Sequence, residues 1–393
     1  MVVLGISSFV FDSSASLIID GKLVAAAQEE RFTRIKNTGD FPKNAIEYCL
    51  SSQGLTIEDV DHVAFYWQPY KGLVKRALQI IGTLPESFKF WGSHSGKWGS
   101  MKNCESILKQ NFPGNHKFKF HNISHHISHA ASGFFVSEFE TSNILVMDGA
   151  GEIASTSLCV GKGSNIDIIK SINFPHSLGY LYVSLTHYLG FKPDNDEYKV
   201  MALASMGKAS KYYDYFKEIV ILDDDGGYHF DLSYMNYHKG NRDPWVSKKF
   251  IQKFGELRTK DQPLTERQQD IAWALQKRLE DVALHLVKHL HKINPSKNLI
   301  ITGGCGLNCI MNEVITKCGL YENVWVNSVP HDAGTSMGAA FWVYNHILKN
   351  PRTFVFESAL WGPEFSNNDI ELELKRANLE YVKFGDEELI QEV

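Results

Sequence analysis

The chain has 393 residues, and its 40 lysines and arginines against 45 aspartates and glutamates leave a formal net charge of −5. This length can bury a large core and favours two lobes or domains. The charge is shallow and spread along the chain, with no basic stripe typical of nucleic-acid binding. No window approaches the roughly 20 apolar residues of a membrane span, and there is no signal-peptide pattern. The cysteines form no CxxC pair, so we expect a reduced, cytoplasmic enzyme.

The chain opens with three short strands, which are separated by an acidic turn and a glycine turn. The same order of strand, acidic turn, strand, turn and strand recurs in the middle of the chain. The strands of the two copies are Val2–Ile6, Ala15–Ile19 and Leu23–Ala27, then Ile144–Met147, Thr156–Val160 and Ile166–Ser171. The repeat predicts two related α/β lobes that face one another.

Further strands and helices are predicted between and after the two copies. They are the strands Asp61–Trp67, Lys117–Asn122, Leu299–Thr302 and Tyr381–Phe384, and the helices Asn44–Ser52, Ser128–Ser137 and Asn368–Asn378. We place a first lobe at residues 1–143 and a second lobe at residues 144–350, with an insertion at about 208–261. Residues 351–393 form an extension after the second lobe.

A long amphipathic helix begins near Thr265. Gln268 stands three residues further on, where its side chain can complete a capping box. Apolar residues then recur at helical spacing and form one stripe, which consists of Ile271, Leu275, Leu279, Val282, Leu286 and Leu290. We expect this stripe to be buried and the helix to have a structural role.

Four potential metal ligands stand beside glycine-rich turns. His125 and His129 lie one helical turn apart and face the same way, Asp148 ends an apolar strand, and Asp332 lies in the run PHDAGTSMGAA. Two imidazoles with one or two carboxylates suit Fe(II), with Zn(II) or Mn(II) as alternatives. Two histidines alone could equally pack in a polar core, but four groups together favour a metal site.

Glycine-rich or polar turns follow three of the predicted strands. They are Asp12-Ser13-Ser14, the run DGAGE at residues 148–152, and the run GGCGLN at residues 303–308. Such turns let backbone amides approach a phosphate closely, and the last one opens onto a helix N-terminus that favours an anion. None of them matches a Walker loop or a dinucleotide-binding fingerprint.

A charged segment, DNDEYKVMALASMG, runs from Asp194 to Gly207. Its Asp196, Glu197 and Lys199 could reach a ribose or a polyphosphate. The alternative is a solvated loop before a helix over Val200–Ala204.

Nine ordered runs, which cover nearly the whole chain, resemble the NodU/CmcH-type O-carbamoyltransferases. The runs are GISSFVFDSSASLIIDG, AQEERFTRIKNTGDFP, HHISHAASGFF, MDGAGE, SLGYLYVSLTHYLGF, DEYKVMALASMG, QPLTERQQDIAWALQ, NLIITGGCGLN and PHDAGTSMGAA. The N-terminal domain of that family is similar to the tRNA threonylcarbamoyladenosine synthesis protein. The resemblance implies a duplicated ribonuclease-H-like fold, the two-lobed architecture of the actin-like ATPases and sugar kinases.

The resemblance also implies a reaction and its cofactors. In the family, a YrdC-like domain makes carbamoyl-adenylate from carbamoyl phosphate and ATP. The domain that is matched here then moves the carbamoyl group to a hydroxyl of an acceptor, which we expect to be a small natural product or a sugar.

The same resemblance implies roles for particular residues. Carbamoyl transfer to an alcohol needs a base and a stabilised oxyanion, and Asp12 and Lys36 are the candidates for catalysis. The implied ligands of a divalent metal, expected to be Fe(II), are His125, His129, Asp148 and Asp332. The implied nucleotide contacts are Gly149, Gly151, Glu152, Glu197, Lys199, Gly303, Gly304 and Asn308.

Three positions depart from the family pattern. Phe11 precedes Asp12 where the family usually has histidine, Asn37 follows Lys36 where histidine is usual, and Gln268 stands where histidine is common. Phe11 and Asn37 belong to the part of the first lobe that is expected to face the carbamoyl group. Either another residue acts as the base, or the acceptor is more nucleophilic. The alternative function is that of a catalytically reduced partner subunit that binds nucleotide and metal.

Members of the family continue past the position of Val393 into the YrdC-like domain. We therefore expect either an excised domain or a chain that receives the adenylate from a separate polypeptide. The sequence is compatible with a homodimer and indicates neither nucleic acid nor membrane as a partner. Two aromatic segments, Trp91–Trp98 within the stretch Pro85–Ser100 and Tyr212–Tyr237, could form the acceptor pocket or cover the core.

Overall fold

The structure is a computed structural model that describes residues 1–82, 98–239 and 243–393. Its first sheet has five strands in the order β3-β2-β1-β4-β5. The pairs β1–β2 and β2–β3 are antiparallel, while β4 and β5 run parallel to β1. The strands are β1 (Val2–Ser7), β2 (Ser14–Ile19), β3 (Lys22–Gln28), β4 (His62–Phe65) and β5 (Lys119–Asn122).

The second five-stranded sheet repeats this arrangement. Its order is β8-β7-β6-β11-β12, with β6, β7 and β8 antiparallel and β11 and β12 parallel to β6. The strands are β6 (Thr141–Met147), β7 (Ala154–Lys162), β8 (Asn165–Asn173), β11 (Asn298–Thr302) and β12 (Asn323–Val326), and a separate hairpin consists of β9 (Val220–Leu222) and β10 (Tyr228–Phe230). Equal strand order and direction in both sheets confirm the predicted duplicated ribonuclease-H-like fold.

Helices cover the sheets and connect their strands. They are α1 (Glu30–Thr33), α2 (Lys43–Ser51), α3 (Leu73–Gly82), α4 (Cys104–Asn111), α5 (His125–Phe134), α6 (Leu178–Tyr188), α7 (Glu197–Ala204), α8 (Lys211–Ile219), α9 (Lys248–Phe254), α10 (Glu266–Ile293), α11 (Cys309–Lys317), α12 (Ala333–Phe341), α13 (Asn367–Arg376) and α14 (Asp386–Glu392). The central strands β1 and β6 are buried along nearly their whole length, as strands with covered faces are. Among the described residues no helix is long and apolar enough to span a membrane.

The long helix α10 starts as the sequence predicts. Thr265 is its N-cap, and Thr265 and Gln268 form the predicted capping box. All six positions of the predicted apolar stripe are buried in the second core. Gln268 is thus fixed at the start of a helix, and its side chain is only 5% exposed.

Helix α5 begins at His125, three residues before the predicted start at Ser128. The backbone N–H of His125 donates to the Glu152 carboxylate at 2.9 Å. An acidic oxygen at a helix N-terminus satisfies an unpaired N–H group and interacts favourably with the helix dipole. Because Glu152 is remote in sequence, helical periodicity alone does not reveal this cap.

Helix α12 ties the two halves of the chain together. It follows the last strand of the second sheet, yet it packs against α5 and against β1 and β2 of the first sheet. A Cβ on Gly338 would lie 1.8 Å from the carbonyl oxygen of Ser128, and a Cβ on Gly5 would lie 1.9 Å from that of Ser336. The close approach of α12 to α5 and β1 therefore depends on glycine at both contacts. The predicted lobe boundaries at residues 143 and 350 stay a prediction.

The remaining segments differ in burial. Residues 208–261 carry α8, the hairpin and α9, and their aromatic side chains, Tyr237 among them, belong to the second core. Most of Pro85–Ser100 lies outside the described residues. The predicted strand Tyr381–Phe384 is wrong: no strand of the described chain pairs with these residues, and a single unpaired strand is not stable in water. Helices α13 and α14 bury no residue.

Replacing Gly338 by alanine is expected to lower the free energy of unfolding by about 1–3 kcal/mol, because the new methyl group must displace α5 or α12. Denaturant unfolding measures the change. The matched control is Gly99→Ala, where no atom of the described residues lies within 4 Å of the added Cβ. Equal stability of the two variants would contradict the close packing of α5 on α12.

Candidate metal and nucleotide site

Four side chains from three parts of the chain converge at one point between the sheets. His125 and His129 come from the first two turns of α5, Asp148 follows β6, and Asp332 immediately precedes α12. Each offers one ligand atom, and these atoms all lie within 4.8 Å of one another. The structure thus brings together all four residues for which the sequence predicts a metal.

The distances within this cluster fit the coordination shell of one ion. The Nε2 atoms of His125 and His129 are 3.2 Å apart, and Asp148 Oδ2 lies 3.0 Å from the first of them. Asp332 Oδ1 lies 3.3 Å from His129 Nε2. Neighbouring ligand atoms about 2.0–2.2 Å from a common ion are about 2.8–3.6 Å apart in octahedral or tetrahedral geometry. The donor set of two imidazoles and two carboxylates suits Fe(II), Zn(II) or Mn(II).

Burial makes the charge of the cluster costly. Both imidazoles are completely buried, and the carboxylates are about a tenth exposed. Burial alone lowers the pKa of His125, but Asp332 and Asp148 outweigh it and raise that pKa to about 9. Burial raises the pKa of Asp148, whereas the neighbouring His125 and His129 hold it well below its usual range. A cation is therefore the favoured companion of these carboxylates.

Two further contacts fix the cluster. Gly304 donates its backbone N–H to Asp148 Oδ1 at 3.1 Å. Glu152, 4% exposed, accepts the backbone N–H groups of His125 and Gln68, each at 2.9 Å. Glu152 thus positions the helix that carries both histidines.

A cavity of about 490 Å³ adjoins the cluster, and Asp148 and Asp332 form part of its wall. The predicted catalytic residues Asp12 and Lys36 also line it. Of the predicted nucleotide residues, the wall includes Gly149, Glu197, Gly304 and Asn308.

The other four predicted nucleotide residues lie outside this wall. Glu152 is one of them. Gly151 packs against the His125 ring, and a Cβ added to Gly151 would come within 2.9 Å of that ring. Gly303 has a φ of +88° and lies so close to Met147 that only glycine fits the turn. Lys199 points its ammonium group at Asp196, 2.9 Å away.

Asn308 joins the cavity wall to the core of the second lobe. Its Oδ1 accepts the backbone N–H of Met311 at 2.9 Å, which caps α11. Its Nδ2 donates to Gln276 Oε1 at 2.8 Å, and Tyr182 donates to the same oxygen at 3.2 Å. These bonds hold the Asn308 amide in one orientation beside the cavity.

The structure reveals a cavity residue that the sequence did not single out. His331 Nδ1 lies 3.0 Å from Asp12 Oδ2, although 319 positions separate the two in the chain. Burial lowers the pKa of His331, but Asp12 outweighs it and raises that pKa above its ordinary value. His331 stands directly before Asp332, and this adjacency to a metal ligand was the one signal in the sequence.

Phe11 and Asn37, two of the positions that depart from the family pattern, have separate structural roles. Asn37 donates its side-chain N–H to the backbone oxygen of Asp194 at 2.6 Å, and its own N–H donates to Glu30 at 2.8 Å. It thereby links the first lobe to the loop before α7. Phe11 forms part of the cavity wall.

Comparison with known proteins identifies the family of this chain. The sequence profile described as carbamoyltransferase N-terminus matches residues 2–341. The chain belongs to the carbamoyltransferase family. An uncharacterized protein of Synechocystis sp. is 36% identical over 406 aligned positions, which cover 100% of this chain and 66% of that protein. The nodulation protein NolNO of Sinorhizobium fredii is 32% identical over 378 positions, which cover 94% of this chain and 51% of that protein.

The carbamoyltransferase-family chain therefore spans about half to two thirds of the length of these relatives. Among solved structures, HypF of T. kodakarensis aligns with 87% of this chain, and 47% of HypF is covered, at 13% identity and a TM-score of 0.47. A ROK hexokinase from Thermus thermophilus aligns with 89% of this chain along its own full length, at 12% identity and a TM-score of 0.42.

His129→Gln is expected to weaken the binding of Fe(II) by this carbamoyltransferase-family chain at least about 100-fold, because it removes one of four ligand atoms. Anaerobic titration followed by metal analysis measures the affinity. His229→Gln, at an exposed histidine on β10, is the matched control and should bind as the unchanged chain does. If His129→Gln still binds one equivalent with unchanged affinity, the ion lies elsewhere.

Glu197 gives the chain a pH-dependent stability. Burial raises the pKa of its carboxyl to about 7, from an ordinary value of 4.5. The Glu197 carboxyl therefore stays protonated to a higher pH in the folded state than in the unfolded state. The free energy of unfolding falls as pH rises from about 4.5 to 7.

Glu197→Gln keeps an oxygen for the Asp194 N–H and removes this penalty. It should leave stability unchanged near pH 4 and raise it by about 1–3 kcal/mol at pH 8. Unfolding curves at both pH values measure the difference, with the exposed Glu47→Gln as control. A gain of equal size at both pH values would contradict the raised pKa.

Proposed function

We propose that the chain transfers a carbamoyl group from carbamoyl-adenylate to a hydroxyl of a small natural product or a sugar. A YrdC-like domain or a separate chain supplies the adenylate from carbamoyl phosphate and ATP. The observation that carries this proposal is the cluster of His125, His129, Asp148 and Asp332, whose two carboxylates lie in the wall of a cavity of about 490 Å³.

The metal cluster and the glycine-rich turns bind different parts of the adenylate. A divalent metal held there, Fe(II) first among the candidates, supplies Lewis-acid and template chemistry to phosphate oxygens. Gly149 and Gly304 bring the chain close to the cavity without side chains. Glu197 and Asn308 offer hydrogen bonds to the hydroxyls of a ribose on the side of the second lobe.

The transfer step needs one proton acceptor. The acceptor oxygen attacks the carbamoyl carbon, the bond from that carbon to the phosphate oxygen breaks, AMP leaves, and the hydroxyl proton goes to a base. His331 suits this role. Asp12 binds its Nδ1, and the second ring nitrogen, Nε2, accepts the proton. Lys36 on the cavity wall adds positive charge for the developing oxyanion.

His331 also favours an active enzyme over a catalytically reduced subunit. The family usually has histidines at positions 11 and 37, and this chain has Phe11 and Asn37. An imidazole from the run PHDAG nevertheless lines the same cavity. His331, from another part of the chain, thus takes the role of the histidines that the family usually has at positions 11 and 37.

Reconstitution tests the activity. The chain is incubated anaerobically with Fe(II), ATP, radiolabelled carbamoyl phosphate and a YrdC-like domain added separately, together with aminoglycosides, sugars and guanidine-type alkaloids. Label is expected in an acceptor, in an amount that depends on this chain. With metal bound and adenylate formed, the absence of any labelled acceptor would contradict the proposal.

His331→Gln is expected to lower kcat by about 10²- to 10⁴-fold, because the proton of the acceptor loses its base. KM for the acceptor and the amount of bound Fe(II) should change little. His229→Gln is again the matched control. An unchanged kcat in His331→Gln would contradict the role of this residue as the base. It would not contradict the proposed transferase activity.

A further inference from the structure

A second, smaller cavity lies beside the N-terminus of α5. Its volume is about 120 Å³, and its wall includes Ser124, His126 and Glu152. Successive side chains of a helix point about 100° apart, so His125 reaches the metal cluster while His126 faces this second space. The two sites therefore share a helix and have different walls.

The wall is rich in hydrogen-bond donors. Its donors are two lysines, four residues apart along the chain, with three hydroxyl groups and one amide, and Ile153, Ala154 and Ile168 add an apolar part of the wall. The donor residues are Lys71, Lys75, Ser124, Ser157, Ser171 and Asn173. Lysine ammonium groups and hydroxyls are the side-chain donors that proteins use for phosphate oxygens.

His126 adds a donor at the buried end when Ser157 donates to its Nδ1, because Nε2 then carries the ring proton. Its Nδ1 lies 2.7 Å from Ser157 Oγ, and Ser157 Oγ lies 3.3 Å from Ser171 Oγ. The other ring nitrogen, Nε2, is buried and has no hydrogen-bond partner in the described chain, although the imidazole is only 2% exposed. A buried polar atom without a partner is costly, and a ligand oxygen would satisfy it.

The carboxylate in the wall is already engaged. Glu152 Oε1 accepts the N–H groups of Gln68 and His125, and Ser124 donates to Oε2 at 3.4 Å. Lys71 donates to Ser124 Oγ at 2.8 Å. One carboxylate against two ammonium groups leaves the cavity with a net positive charge.

We infer that this cavity binds a tetrahedral oxyanion, a phosphate ion or the phosphoryl group of a small phosphate ester or anhydride. Its volume of about 120 Å³ exceeds the roughly 10–15 Å³ that one water requires, and it suits a group with four oxygens. The lysines neutralise the anion at the mouth, and His126 and the hydroxyls bind its oxygens further in. This inference is independent of carbamoyl transfer, because it uses none of the residues of the larger cavity.

Calorimetric titration of the metal-free chain with inorganic phosphate tests the inference. The double variant Lys71→Met/Lys75→Met removes both ammonium groups. Its matched control is Lys288→Met/Lys292→Met, at two exposed lysines with the same spacing on α10. Ser171→Asp places a negative charge at an exposed position of the wall and leaves the lysines intact.

Phosphate should bind to the unchanged chain and to the control with equal affinity, and about tenfold or more weakly to Lys71→Met/Lys75→Met and to Ser171→Asp. A parallel titration with carbamoyl phosphate identifies the source of the phosphoryl group. Tighter binding of carbamoyl phosphate assigns the site to a phosphorylated metabolite, and tighter binding of phosphate assigns it to the free ion. Either result supports an oxyanion site, provided that the variants weaken it.

Two results would overturn the inference. One is the absence of binding of both compounds to the unchanged chain. The other is an equal affinity of Lys71→Met/Lys75→Met and its control for the compound that binds, which would place the anion elsewhere.

Discussion

Two largely buried carboxylates that are held close together impose the constraint on which the site depends. Asp148 and Asp332 lie within 4.8 Å of one another and of two completely buried imidazoles. Isolated buried charges are too costly to persist, so the protein must either protonate these groups or give them a cation. Protonated His125 can serve in the absence of metal, which agrees with its raised pKa of about 9. A divalent ion satisfies all four groups at once.

The duplicated fold explains how these groups meet. Asp12 lies in the turn between β1 and β2 of the first sheet, and Asp148 stands directly after the central strand β6 of the second sheet. Asp332 arrives with α12, which can lie against α5 because Gly338 has no side chain to meet Ser128. The same contact fixes the distance between Asp332 and His129. Packing of small residues thus sets the geometry of the chemistry.

The sequence predicted the parts of this site that depend on local pattern. The spacing of His125 and His129, the strand that ends at Asp148 and the capping box at Thr265 are all readable within a few residues. The pairing of Asp12 with His331 was not, since it joins residues 319 positions apart through the close approach of α12 to the first sheet. The contact of the Glu152 carboxylate with the start of α5 was not readable either, because 27 positions separate Glu152 from His125, and its role as a nucleotide contact stays a prediction. The strand at Tyr381–Phe384 failed for a related reason, because a strand needs a partner that local pattern cannot supply.

The most direct test of the central claim is anomalous diffraction at the iron absorption edge from crystals of the Fe(II)-loaded chain. One strong peak is expected among His125 Nε2, His129 Nε2 and the carboxylates of Asp148 and Asp332, at about 2.0–2.2 Å from each ligand atom. Adenylate soaked into the same crystals should place its phosphate next to this peak. A peak at any other group of side chains, or no peak in crystals that contain iron in solution, would contradict a metal centre shared by the two halves of the fold.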